Sequence, residues 1–381
     1  MAGYDVCIIG GGLLGTATAY YAAKAGLKVV VLEARDLAAG ASGAAFGGVS
    51  VGIYSYSSTR VPPPYVSISK ASLSLYHQCQ EELGAPLDFD ANGSLDPFYD
   101  EQGLARGRER AAGLVECGVP CQVVMREDLR ELEPALSDAV AGATHCPIDG
   151  HVTPMAMVCA LAKGARSHGA EIRTSTPVEA ILVERGRAVG VRTAVETISA
   201  GWVVNTAGLG AAGLAATANV AVPVDYSRGQ MFVSERIPPL LRTYVHNIKQ
   251  THAGTIVFGA TRESGVTDVG TTVAGTKEIL AWAVRLLPAL AQVRLVRSWA
   301  GIRPVPPDGY PIIGPVEGVE RLLISVMHRG VTLAPVIGEI MTELITTGRT
   351  KHNIEPYLLS RFADAPAGSL GEVQEKFYVA G

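Results

Sequence analysis

Near the amino terminus, Gly10-Gly11-Gly12-Leu13-Leu14-Gly15 follows an apolar run at once, and Glu33 closes the next apolar run. Each glycine has its own task. Gly10 permits a tight turn, Gly12 lets backbone approach a pyrophosphate, and Gly15 allows a helix to pack closely on a strand. The amides of Leu13 and Leu14, at a helix start, add donors and partial positive charge. Glu33, with Ala34 beside it, can accept from both hydroxyls of a ribose and would repel a 2′-phosphate. The spacing serves an adenosine pyrophosphate, with a packing turn in an α/β sheet as the plainer alternative. NAD and FAD share that group, so the turn alone does not choose between them.

A run of small residues, Ala39-Gly40-Ala41-Ser42-Gly43-Ala44-Ala45-Phe46-Gly47-Gly48-Val49, comes soon after Glu33. Backbone in such a run can lie close against an extended ligand. Ser42 can donate to phosphate, and Gly47-Gly48 leave room for a flat ring. A flexible surface loop fits less well, because the run lacks charge and contains Phe46. Far along the chain, Arg303 stands between Gly301 and Pro304 in an apolar stretch, where an unpaired guanidinium would be costly to desolvate. Its planar, always-charged donor fork suits a substrate carboxylate. An ion pair with Asp308 is the alternative.

The elements that must hold these residues are legible around them. Tyr4–Ile9 reads as a strand, Thr16–Ala25 as an alanine-rich helix closed by Gly26, and Lys28–Leu32 as a second strand. This is the βαβ order the glycine spacing needs. Further on, Gln230–Val233 and Thr255–Gly259 read as strands, and Ile279–Leu287 as a helix before Pro288.

The composition narrows the partners. The chain has 381 residues, 48% hydrophobic and 18% charged, with a net charge of -4 and a pI near 6.1. That length suggests two domains, and the balance offers no basic field for nucleic acid. The 43 glycines and 22 prolines are dispersed, which argues against disorder or a fibrous repeat. No stretch approaches the roughly 18 apolar residues of a membrane span, and no basic region precedes a signal core. Of the six cysteines, Cys117 and Cys121 lie four apart with Gly118 and Pro120 between them, and no second ligand pair follows. Inert, reduced thiols in a cytoplasmic protein are expected, with no metal.

Taken together, these segments resemble the glycine oxidase, D-amino acid oxidase and sarcosine oxidase family of flavoproteins. Further segments match in order: Asp149-Gly150-His151-Val152-Thr153-Pro154 leading into a helix over Met155–His168; Thr176-Pro177-Val178; and Val203-Val204-Asn205-Thr206-Ala207-Gly208. Trp299-Ala300-Gly301-Ile302-Arg303-Pro304, then Asp308-Gly309-Tyr310-Pro311-Ile312-Ile313-Gly314, closely resemble glycine oxidase. His328-Arg329-Gly330-Val331-Thr332-Leu333-Ala334-Pro335 resembles the closing loop and helix, in the version found in catalytic β-subunits of opine oxidase and D-hydroxyproline dehydrogenase.

The resemblance implies an α/β and α+β fold: a Rossmann-like FAD-binding domain interleaved with an antiparallel-sheet substrate domain. The first would use residues 1–90, 145–215 and 298–381, and the second 91–144 and 216–297. It also implies FAD met by the Val178 backbone, by Ala207 and Gly208, and by Arg329 together with Gly330, Val331 and Thr332. No cysteine follows Cys159, so attachment is expected to be non-covalent. The implied reaction oxidises the C–N bond of a small amino acid, or of a secondary cyclic or N-substituted one. Hydride passes to flavin N5 and leaves an imine.

Arg303 matches the family's carboxylate clamp. Asn247 falls where glycine oxidase has a tyrosine, with His246 and Tyr244 nearby, and the family's second arginine faces a shortened loop where His328 or Arg329 stands. His246 and His252 read equally as pocket groups or exposed strand residues. Tyr54, Tyr56 and Arg60 read as loop residues with some reach toward substrate, and Trp299 as core. Oxygen or a partner electron-accepting subunit would take the electrons, so homo- and hetero-oligomers are both open. The rival readings are a nicotinamide-dependent dehydrogenase and a non-catalytic electron-relay flavoprotein subunit.

Overall fold

Strand Tyr4–Ile9 sends Val6 and Ile8 into one hydrophobic layer and Cys7 and Ile9 into another, and Val29–Leu32 alternates in the same way. A strand apolar on both faces belongs in the middle of a parallel sheet covered on both sides. The computed structural model, which describes residues 3–51, 61–84 and 87–363, places both strands there. Tyr4–Ile9 is flanked in parallel by Val29–Leu32 and Thr197–Asn205, with Glu171–Arg173 and Leu322–Val326 outside them. Ile312–Pro315 then adds an antiparallel edge, and the hairpin Val178–Glu184/Arg187–Thr193 hangs from Thr197–Asn205.

The helix after the glycine turn runs Leu13–Lys24, three residues earlier than its composition suggested. Gly12 is its N-cap in extended geometry, so Gly15 lies within the first turn. A Cβ on Gly15 would stand 1.9 Å from the Gly10 carbonyl oxygen, so only glycine permits this close seating. The helix packs beneath Pro154–Ser167 and Gly330–Thr347. It has no side-chain cap and no acid in its first turn, which leaves its positive end available to an anion.

A second sheet stands beside the first. It runs Glu263–Ser264, Asp225–Arg236, Thr255–Gly259, Ile248–Gln250, Tyr244–Val245, Ser94–Phe98, Gly142–Cys146 and Gln122–Met125, with Leu295–Val305 on the other side of Asp225–Arg236. Its pairs are antiparallel apart from Tyr244–Val245 beside Ser94–Phe98. Asp225–Arg236 is longer than the Gln230–Val233 stretch expected, because neighbours on both sides pair with its polar ends. The helix expected over Ile279–Leu287 begins earlier, running Val273–Leu286, where the Thr272 hydroxyl accepts from the Gly275 amide at 3.1 Å. A short pairing of Gly48–Val49 with Gly150–His151 ties the small-residue run to the seam between the sheets. Among the described residues, no helix is long and apolar enough to cross a membrane.

Candidate active site

One elongated cavity of about 550 Å3 follows this seam. At one end stands Glu33, whose carboxylate accepts from the Gly11 amide at 2.7 Å and the Arg35 amide at 2.8 Å. A carboxylate has about four acceptor sites, so two remain for a ribose. The wall continues over Gly10, Gly12, Leu13 and Leu14, and across to Ser42, whose hydroxyl accepts from the Leu13 amide at 3.0 Å. A Cβ on Gly12 would reach the Ser42 oxygen at 2.8 Å. The hydroxyl proton of Ser42 therefore sits beside a helix start, where a phosphate oxygen finds donors.

The middle of the cavity is shaped by the small-residue run. Ala34, Ala41, Phe46, Gly47 and Gly48 line it, facing Val178, Ala207 and Gly208. Gly47 has φ +96°, and a Cβ there would stand 2.1 Å from the Val152 carbonyl oxygen. Trp299 donates from Nε1 to the Ala44 carbonyl at 3.1 Å and does not reach the wall, so it braces the run. Lys249, buried behind the same run, donates to the Val152 carbonyl at 2.6 Å and lies 5.3 Å over the Phe46 ring. Burial pulls its pKa down to about 7, against the opposing field of Asp88.

The far end is formed by both sheets and the closing helix, Gly330–Thr347. Arg329 is its N-cap, and Gly330, Val331 and Thr332 present their backbone to the cavity at its positive end. Arg303 donates from its guanidinium to the Thr261 carbonyl at 3.1 Å. It lies across Gly229, where a Cβ would meet a guanidinium nitrogen at 2.0 Å. The alternative ion pair with Asp308 is not formed, because both Asp308 oxygens accept from Arg361, at 2.7 and 3.1 Å. Arg329 places its guanidinium 5.5 Å over the Tyr65 ring. His328 is half-buried on the wall, and burial, then the Arg329 charge, push its pKa down to about 3. It is a neutral imidazole at physiological pH.

Arg303, His328, Asn247 and His246 all line this one cavity although 81 residues separate Asn247 from His328. His246 is at the rim, with Nδ1 3.0 Å from Asp96 and its ring edge-on to Trp282. His252 stands off the wall between Asp88 and Asp90, at 3.7 and 3.6 Å, which removes it as a pocket group. Gly15 is likewise beneath the wall, a packing residue and not a contact. Tyr54, Tyr56 and Arg60 lie outside the described residues. Sequence reasoning missed Arg35, Thr206, Met231, Arg262, Ile302 and Met327, all of which line the cavity. Arg262 directly follows the Gly259-Ala260-Thr261 segment, a signal that was there to use.

The donor set fits FAD along its whole length. An acid stands at the ribose end, a helix start and a hydroxyl in the middle, and glycine backbone with a second helix start where a flat anionic ring would lie. Such a cavity fits a flavin-dependent oxidoreductase, and the comparison of the chain with known families decides for flavin over nicotinamide. The chain belongs to the FAD dependent oxidoreductase family, whose profile matches residues 5–344. It is 29% identical over 406 aligned positions to hydrogen cyanide synthase subunit HcnC of Pseudomonas aeruginosa, covering 96% of this chain and 97% of that one. Glycine oxidase of Bacillus licheniformis is 31% identical over 354 positions, covering 90% and 93%. The crystal structure of L-proline dehydrogenase from P. horikoshii superposes with a TM-score of 0.87 at 27% identity, covering 95% and 98%.

Proposed function

We propose that this chain oxidises the C–N bond of a small amino acid, primary or secondary, to the imine. The observation that carries the reading is Arg303, a fixed donor fork at the ring end of the cavity, seated against Gly229. Bound non-covalently, FAD supplies a two-electron acceptor that takes hydride from the substrate Cα. The chain's own residues orient the reactants. Arg303 binds the carboxylate and so fixes where Cα lies. Met231, Tyr244, Ile302 and Met327 form walls that exclude water. His328, held neutral by burial and by the Arg329 charge, adds no competing positive charge beside the substrate. The amides of Gly330–Thr332 sit where negative charge is favoured.

The likeness to glycine oxidase and to L-proline dehydrogenase supports a compact substrate, such as glycine, an N-substituted glycine or a proline-type ring. The terminal acceptor is read as oxygen or a partner subunit; HcnC, named as a subunit, supports the second. Six free cysteines support a reducing, cytoplasmic setting.

The test is an anaerobic screen of glycine, N-methylglycine, and D- and L-amino acids including proline, scored by bleaching of the flavin band at about 450 nm. At least one amino acid is expected to bleach it. Subsequent mixing with oxygen separates the acceptors: rapid recovery with stoichiometric peroxide marks an oxidase. A yellow protein that dithionite reduces, yet no amine or amino acid bleaches, would remove this reading.

A further inference from the structure

Two cysteines distant in sequence meet in the antiparallel sheet. Gln122 stands opposite His145, so one step outward Cys121 stands opposite Cys146, with both side chains on one face. Opposite residues in such a ladder hold their Cα atoms about 4.5–5.5 Å apart. That lies within the roughly 4.4–6.8 Å a disulfide spans. The two thiols are unbridged and close enough to act on each other electrostatically. Cys146 is enclosed, while Cys121 keeps 7% of its surface exposed.

Their surroundings divide the chemistry. The Cys146 thiol lowers the Cys121 pKa, helped by the Arg110 charge and the Gln122 amide against burial and Asp149. The Arg110 guanidinium is ion-paired with Asp96, and its Nε has no hydrogen-bond acceptor among the described residues. Cys146 is held in the thiol form by Cys121, by burial and by Asp149. One sulfur is prepared as nucleophile and the other as proton holder.

The pair is wired to the flavin cavity through Asp149. Its buried carboxylate accepts from the Ser50 hydroxyl at 2.7 Å, the Val51 amide at 2.7 Å and the Ser94 hydroxyl at 2.8 Å, and Ser94 stands opposite Cys146 in the sheet, so the Cys146 thiol lies beside the carboxylate. Ser50 lines the cavity, and its amide donates to the Thr332 hydroxyl at 3.3 Å at the start of the closing helix.

We propose that Cys121 and Cys146 form a peroxide-sensitive dithiol whose closure to a disulfide weakens the hold on FAD. The Cys121 thiolate attacks a hydroperoxide oxygen, the O–O bond breaks, and hydroxide leaves, giving a sulfenic acid. The Cys146 sulfur then displaces that hydroxyl, which departs with the Cys146 proton as water. Two thiols lose two electrons, and one hydrogen peroxide becomes two waters. The product has no S–H beside Asp149, so the surroundings of this buried carboxylate change, and Ser50 and Val51 must readjust.

Purified holoenzyme treated with hydrogen peroxide is expected to yield peptides joined through Cys121 and Cys146 in a non-reducing digest. Its FAD dissociation constant is expected to rise about fivefold or more, the lower end of ordinary site-to-site coupling. Dithiothreitol should reverse both changes. Cys121→Ser keeps the Cys146 thiol beside Asp149, and should neither crosslink nor change FAD affinity on peroxide treatment. Oxidation confined to Cys117 or Cys159 overturns the proposal. So does a Cys121–Cys146 bridge that leaves FAD affinity unchanged, or an equal loss of affinity in Cys121→Ser.

Discussion

Arg303 keeps its guanidinium flat across Gly229, in space that a single methyl group would fill. At the residue scale, then, the proposed carboxylate site has two determinants, the charged fork and the bare backbone under it. Arg303→Lys keeps the charge and loses the fork, so the effect should fall on substrate binding. One charge-assisted hydrogen bond contributes about 1.5–3 kcal/mol, or roughly 10–100-fold in kcat/KM, carried mainly by KM. An unchanged KM for every accepted amino acid would exclude Arg303 from the carboxylate site. At the other end, Glu33→Gln exchanges a carboxylate that holds the Gly11 and Arg35 amides for a weaker acceptor. Equilibrium dialysis should show FAD affinity falling by roughly tenfold, about 1.4 kcal/mol. Arg303 was legible as a single residue because its type and apolar setting demanded a partner. That Asp308 is not this partner is a matter of where Arg361 sits.

At the element scale, the important unit is the small-residue run clamped between sheets. Gly47 accepts from the Val152 amide at 2.8 Å and has a left-handed φ that side chains disfavour. Gly47→Ala adds strain of about 1–3 kcal/mol and a collision with backbone that has no flexible end to move. The purified variant should be folded but leave dialysis with a markedly reduced ratio of flavin to protein absorbance. Full flavin occupancy with an unshifted melting temperature would show that the run tolerates a Cβ. The strand Tyr4–Ile9 was read to the residue, since an apolar strand beside a glycine turn has few other solutions. The adjoining helix was not, because Gly15 looked like part of the turn and is instead the point where the helix touches the strand.

Over the whole molecule, burial of imidazoles sets a pH dependence. Burial, with Lys249 and His252 adding to it, pushes the pKa of His151 down to about 3, and His328 is pushed down to about 3 as well. Both lie below the ordinary value near 6.5. Between those limits the unfolded chain binds protons that the folded chain does not, so stability falls as pH drops from about 6.5 toward 3. Each ring contributes up to about 1.4 kcal/mol per pH unit. Urea unfolding of the wild type and His151→Gln at several pH values across this window should give a flatter profile for the variant. Parallel profiles would mean that His151 binds a proton equally in both states.

Local sequence determined the nucleotide end of this protein. A glycine turn, a helix start and an acid act over a few consecutive elements, and their spacing alone fixes the shape of a pyrophosphate cradle. The ring end was decided by tertiary structure. Asn247 and His246 come from a hairpin, Arg303 from a strand further along the same sheet and His328 from the loop before the closing helix. Only strand register and sheet twist bring these to one cavity, and neither quantity is written in any short stretch of residues. The same register sets Cys121 against Cys146, where spacing along the chain had drawn attention to Cys117. Local geometry is encoded locally; convergence of distant side chains is the product of how two sheets settle against each other.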